Sequence, residues 1–370
     1  MKPNRFNWVL GTQTFEPSYH FTDQHPLIET ANVIEEMGAS VVKFALGPAS
    51  KKDPPLPPEI NSLLTLARDH LPHRSVLDKD FAFYVLWLDA FAHRDWHNGF
   101  SSVARDAEYR EVYDLASYLL KTYSGSGKTF YLGHWEGDGM LRHTVRREDD
   151  ALVTPTAVQG MIDWLNTRQR AVDDAKRDTP HFGVNAWHYT EVNHVVLARD
   201  DGRPALVNLV LPNVAVDFVS YSAYDASNQA DPHNLKSALD YIESKLQKKQ
   251  GIDGKRVFIG EYGFPLIRGA GKMRAPVEQD LMSRIIMRAG LEWGCPFVLY
   301  WEIYNNEVSP DGSQIGFWMI DDKGEKQPVY HTHRAFFNWG KTFVADWIQR
   351  EGRNPTDSEF RSAAVVFLSR

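Results

Sequence analysis

The 370-residue chain predicts an α/β fold and, within that class, a (β/α)8 TIM barrel. Three observations carry this expectation. Short runs of β-branched and aromatic residues recur eight times, mostly followed by longer segments with helical periodicity. Most runs are apolar on both faces, as strands of a parallel sheet covered by helices must be. The first run leads into "GTQTFEPSYH", which lacks the G-x-G-x-x-G spacing of a doubly wound dinucleotide-binding sheet.

The expected strands are Asn7–Thr14, Ser40–Leu46, Asp80–Leu88, Thr129–Trp135, His181–Tyr189, Val216–Tyr224, Arg256–Phe264 and Pro296–Tyr304. Helical segments fall between them. "PLIETANVIEEMG" ends on Gly38, a residue that readily takes the left-handed conformation closing a helix. "RDAEYREVYDLASYLLKTY" precedes the fourth strand. "TPTAVQGMIDWLNTRQRAVDDAKRD" opens on a Thr cap with Pro155 in its first turn. "DPHNLKSALDYIESKLQKKQ" begins Asp-Pro and ends in lysines, matching the helix dipole. "APVEQDLMSRIIMRAGLEWG" and "HTHRAFFNWGKTFVADWIQR" complete the set. The Pro-dense Lys51–Glu59 reads as a stiff loop after the second strand. No fixed-period repeat and no linker interrupts the pattern. The expectation is one domain over 1–370, with a short extension at about 351–370 whose "SAAVVFLSR" is apolar enough to pack on the barrel.

A net charge of −7 argues against nucleic acid or a membrane surface as the main partner, since either calls for a basic stripe. The lone Cys295 rules out a disulfide framework and a multi-cysteine metal site. The N-terminus lacks a signal-peptide pattern and no run reaches 18 apolar residues, so a cytoplasmic protein is expected. The 11 Trp, 15 Tyr and 20 Phe provide core area, and rings that can stack on planar or ring-shaped ligands.

"GSGKT" before the fourth strand invites comparison with a phosphate loop. The motif needs a glycine where Thr122 stands, and it opens a helix after a strand, whereas here a helix precedes and a strand follows. The segment reads as a turn at the end of the barrel away from the chemistry.

Reacting groups of such barrels sit at the C-terminal ends of strands. Those ends carry His134, Glu136 and Asp138 (strand four), His188, Tyr189 and Glu191 (five), Tyr224 and Asp225 (six), Glu261 (seven), and Trp301, Glu302, Tyr304 and Asn305 (eight). Glu261 in "VFIGEYGF" is costly to bury without partners. By alternation it shares a face with Val257 and Ile259, and Glu136 one with Phe130, Leu132 and His134. Two carboxylates facing each other across a narrow mouth suit glycoside hydrolysis, one as acid and one as nucleophile.

"GEYGFP", "YWE" and a strand-four Glu together resemble the clan A retaining glycoside hydrolases. That resemblance covers roughly Asn7 to Arg350. It implies Glu136 as acid/base, Glu261 as nucleophile, Trp301 as sugar platform, and Tyr224 (Tyr221 as second choice) as partner of the nucleophile. It further implies an oligosaccharide or glycoside substrate and no metal or cofactor. The chain departs from the clan where Trp135 replaces the usual Asn before the acid, and Lys43 the usual Arg of strand two. Glu191 is the reserve acid. His134 and His188 are candidate donors to sugar hydroxyls, with Trp135 and Glu302 also expected to line the subsites. Two other readings stay open. A non-catalytic sugar-binding barrel would need only Trp87, Trp135 and Trp301. A metal-dependent hydrolase would have to draw on "HTH" (His331–His333), which starts a helix where i and i+2 residues point to different sides, or on "HRDWHNG" (His93–Gly99), which lacks a supporting cluster.

Overall fold

In a computed structural model describing residues 5–48, 55–91, 96–143, 149–268 and 272–370, eight parallel strands close on themselves. They are β1 (Leu10–Thr14), β2 (Val41–Leu46), β3 (Phe83–Leu88), β4 (Thr129–Gly133), β5 (Asn185–Val192), β6 (Phe218–Ser222), β7 (Val257–Tyr262) and β8 (Val298–Tyr300). Each pairs with its neighbour in sequence, and β8 closes the ring against β1. This is the (β/α)8 barrel expected from the sequence.

Side-chain alternation splits the apolar residues between two cores. Phe44, Phe130, Leu132, Val257 and Ile259 face the helices. Val41, Tyr131, Tyr189, Phe258 and Leu299 fill the barrel. The helix ends follow their sequence signals. Gly38 takes φ 105°, Thr154 Oγ accepts from Ala157 N at 3.1 Å, and Asp231 accepts from His233 N at 2.9 Å.

Two strand boundaries differ from expectation in ways that matter. The fifth strand was expected at His181–Tyr189 but begins at Asn185. The backbone before it is engaged elsewhere: Gly125 N donates to Phe182 O and Gly127 N to Gly183 O, both at 2.6 Å. "YSGSGKT" is therefore a turn joining the helix Ser102–Thr122 to β4, with Gly125 and Gly127 at φ 79° and 76°. The strand also runs on to Val192, which keeps Glu191 inside β5 instead of beyond it.

The second difference is a bulge in β7. Tyr221 pairs with Ile259, but the next residue, Ser222, pairs with Glu261. Gly260 is the extra residue, and it shifts the phase of every side chain after it. A Cβ on Gly260 would stand 1.8 Å from Ser220 Oγ.

The C-terminal helix Asp357–Leu368 starts with a Thr356/Glu359 capping box. Its buried Phe360 packs on Phe6 and Trp8, with ring centroids 4.9 and 5.9 Å apart, covering the chain just before β1. Lys51–Pro54 of the Pro-rich loop and His93–Asp95 of "HRDWHNG" lie outside the described residues. His333 is buried within the helix Pro328–Glu351 and bonded to Val329 O at 2.8 Å. Among the described residues, no helix is long and apolar enough to cross a membrane, and no group of three or more His, Cys, Asp or Glu could hold a metal ion.

Candidate active site

The β7 bulge turns Glu261 into the barrel mouth. Simple alternation would place it with Val257 and Ile259 against the helices, so the expected face was wrong and Gly260 corrects it. Glu136 has a parallel history. Its supposed face-mates Phe130 and Leu132 point outward, but β4 ends at Gly133 and the following turn swings Glu136 inward. That turn is fastened to the exit of β5. Asp138 Oδ2 accepts from Asn193 N at 3.1 Å, Asp138 Oδ1 accepts from Leu206 N at 2.7 Å, and Asn193 Oδ1 accepts from Asp138 N at 3.2 Å. Asn193 thereby presents its Nδ2 to Glu136 Oε2 at 3.2 Å.

Ser222 of β6 stands between the two carboxyl groups. Its Oγ lies 2.9 Å from Glu136 Oε1 and 3.4 Å from Glu261 Oε2. Those two legs hold the oxygens within roughly 6 Å of each other, near the spacing of two carboxyls that act on one bond.

Below them lies a buried ion network. Lys43 is inward on β2, two residues after Val41, and fully enclosed. Its Nζ donates to Glu261 Oε1 at 3.0 Å, to Glu191 Oε2 at 3.0 Å and to Gly260 O at 3.1 Å. An ammonium has three donors, so all are spent. Its charge also lies 4.2 Å from the Trp87 ring centroid. Glu191 accepts from Ser220 Oγ at 2.6 Å and Trp87 Nε1 at 3.3 Å, and its other oxygen accepts from Glu136 N at 3.1 Å. Both oxygens of Glu191 accept hydrogen bonds from protein donors and the residue is fully buried, below the mouth. The structure thus places the reserve acid of the sequence reading beneath the two facing carboxyls, not beside them.

Burial, and next the Glu191 charge, push the Glu136 carboxyl up to about 7, with the Ser222 bond opposing them. Burial pushes Glu261 up to about 8, with Lys43 opposing and Glu191 and Glu136 reinforcing. The contacts of the two groups differ. Glu261 touches an ammonium, whereas Glu136 meets only a hydroxyl and neutral amide donors. An ammonium favours the ionised form of the carboxyl it touches more than a hydroxyl or an amide does.

The other expected residues divide. Trp301 lies at the mouth, stacked on Phe15 with centroids 5.3 Å apart. Trp135 is 44% exposed on the β4 side. Tyr224 sits where Glu261, Glu307 and Glu136 all act on its hydroxyl, whose pKa burial raises well above the ordinary value. Tyr221 points outward and donates to Asp225 at 2.5 Å. Three residues expected to meet substrate do not. His188 is buried beneath the helix Pro155–Asp178, its Nδ1 3.2 Å from Gln169 Oε1, because β5 alternation turns Tyr189 inward and His188 outward. His134 is buried beside Trp164, with its nitrogens on Trp135 O and Thr190 Oγ1, both at 2.8 Å. Glu302 is fully buried, accepting from Phe15 N at 3.0 Å and Asn306 N at 3.1 Å, and ties the β1 and β8 loops together. Ser220, Ser222, Asn193 and Glu307 went unremarked in the sequence. The serines carried a signal, two small polar residues spaced i, i+2 in an otherwise apolar strand.

No protein-family model matches the chain, and neither does any curated protein. Solved structures do. A family 39 glycoside hydrolase from Bacteroides cellulosilyticus WH2 matches at 12% identity and TM-score 0.56, over 92% of this chain and 65% of its own. An exo-β-1,4-mannosidase from Opitutaceae bacterium strain TAV5 matches at 16% and 0.57, over 90% and 60%. A GH5_18 protein from Bifidobacterium longum matches at 14% and 0.56, over 95% and 81%. The chain thus spans just under two thirds of the first two structures. At these identities the likeness is one of fold: this chain shares its barrel with these structures.

Proposed function

We propose that this chain is a glycoside hydrolase cleaving O-glycosidic bonds by a retaining double displacement. In the first step the Glu261 carboxylate attacks the anomeric carbon while the Glu136 carboxyl gives its proton to the leaving oxygen. The glycosidic C–O bond breaks, the alcohol departs, and a glycosyl ester on Glu261 remains. In the second step the Glu136 carboxylate takes a proton from water, whose oxygen attacks the same carbon and expels Glu261 as carboxylate. Trp301 and Trp135 offer ring faces to the sugars on the two sides of the cleaved bond.

The observation that carries this reading is the Ser222 contact pair, which holds the Glu136 and Glu261 oxygens within roughly 6 Å. An upper bound of that size supports the closer spacing of a retaining pair over the wider one of an inverting pair. The fold shared with glycoside hydrolases agrees with it. We further infer a single catalytic domain, with 351–370 as a structural extension, working in the cytoplasm on an oligosaccharide or glycoside. The test is a panel of 2-deoxy-2-fluoro glycosides with mass mapping of the trapped ester. An adduct on Glu261 is expected. An adduct on another residue would overturn the assignment, and sugar binding with no adduct and no turnover would favour a binding protein.

A further inference from the structure

The mechanism leaves one carboxylate at the mouth without a role. After β8 the chain folds back as a narrow hairpin: Ile315 N donates to Glu307 O at 3.0 Å, and Val308 bridges Gln314. Asn305 braces it, with Nδ2 on Glu307 O at 2.5 Å and Oδ1 accepting from Phe317 N at 3.1 Å. Phe317 in turn packs edge-on to Tyr224, ring centroids 6.0 Å apart. The Glu307 backbone is therefore fixed beside the space that Tyr224 shares with both catalytic carboxyls. Its Oε1 accepts from Trp301 Nε1 at 3.1 Å. Its Oε2 has no protein partner among the described residues, although the side chain is half-buried.

A half-buried carboxylate with one oxygen fixed on a sugar platform and the other unmet asks for a donor. A sugar ring stacked on Trp301 brings hydroxyl groups to its edge, where the bonded indole N–H and Glu307 lie. The balance of charge narrows the sugar further. Glu136, Glu261 and Glu307 face the site, and the one described cation among them, Lys43, has every donor engaged. A uronate would add a further carboxylate to this set, and among the described residues no cation is free to meet it.

We propose that Glu307 is a specificity-determining residue, accepting a hydrogen bond from a hydroxyl of the glycosyl ring stacked on Trp301 and selecting neutral glycosides over uronides. This rests on the glycosidase reading above and names the substrate class of that site.

The test compares the parent and Glu307→Gln on an aryl hexoside, its monodeoxy analogues and the matching uronide. Glutamine still accepts from Trp301 Nε1, so the platform stays in place. The parent should prefer the hexoside to the uronide by about 100-fold in kcat/KM or more. Glu307→Gln should lose about 10- to 100-fold on the hexoside, and about twofold or less on the one deoxy analogue lacking the contacted hydroxyl. A structural role alone would give equal losses on all analogues, and that outcome, no loss, or a preference for the uronide overturns the proposal. Binding of the same hexoside and uronide to Glu261→Gln protein, measured by calorimetry, decides the matter without turnover: equal affinity refutes it. Failure to trap any ester on Glu261 refutes the glycosidase reading instead.

Discussion

Glu191→Gln separates support of the site from chemistry in it. All four partners of Glu191 donate: Lys43, Ser220 and Trp87 to Oε2, and the Glu136 amide to Oε1. Glutamine has the same shape but trades one oxygen for an amine with two donors. Turned toward Lys43 the amine would break three bonds; turned toward Glu136 N it breaks one. The second orientation wins and leaves two buried donors facing each other, at about 1–3 kcal/mol for each unmet group. A destabilisation of about 2–6 kcal/mol follows, read by chemical denaturation. The effect on chemistry has a definite sign. The Glu191 charge helps hold the Glu136 carboxyl up at about 7. Removing that charge lowers it. The first step needs Glu136 protonated, so activity is lost as pH rises through that value. In the variant the basic limb of kcat/KM should therefore move below about 7. Substrates with poor leaving groups will show it best. A limb that stays in place, or moves up, refutes either the role of Glu136 as acid or its coupling to Glu191.

Ser222→Ala should do the reverse, because Ser222 favours ionised Glu136: the basic limb moves above about 7, measured on the same substrates. Glu136→Gln should lose about 10²- to 10⁴-fold on glycosides with poor leaving groups, with added azide restoring turnover of activated ones. Gly260→Ala places a methyl group 1.8 Å from Ser220 Oγ and should cost about 1–3 kcal/mol in denaturation experiments, with activity falling as the Glu191 network shifts. Phe360→Ala should cost about 3–5 kcal/mol with kcat unchanged, since Phe360 packs on Phe6 and Trp8 behind β1.

The barrel was legible because it rests on coarse signals. Eight two-faced apolar runs with capped helices between them leave few other architectures, and caps such as Thr154 and Gly38 act locally. The ends of strands were less legible, since they depend on what the flanking backbone bonds to. Nothing in "HFGV" says that its carbonyls are taken by the glycine turn at Gly125–Gly127, so the expected β5 began early and Glu191 seemed to lie past its end. His188 was misplaced for a related reason. Being near a strand end does not put a side chain in the mouth; the face does, and Tyr189 holds that face.

Both glutamates were singled out, and the structure brings them together at Ser222, although the face argument used for them was wrong; the reason is physical. A buried carboxylate in an apolar strand is conspicuous wherever it points. Its direction is set here by one inserted glycine and by the end of β4, features that period-two counting cannot register. The network beneath them was harder to read, although Lys43 stands out in "SVVKFAL", because a lysine alone does not say which carboxylates it serves. Serving two of them has a consequence for the proposed cycle. In the resting site Glu261 and Glu191 carry charge, Lys43 offsets one, and Glu136 is neutral. In the ester state Glu261 is neutral, Glu136 carries the charge, and Lys43 still pairs with Glu191. The buried site thus keeps the same total charge in both states. A lysine paired with Glu261 alone would lose its counter-ion each time the ester formed. Glu191 prevents this, which is why a carboxylate that never meets substrate belongs at the centre of the barrel.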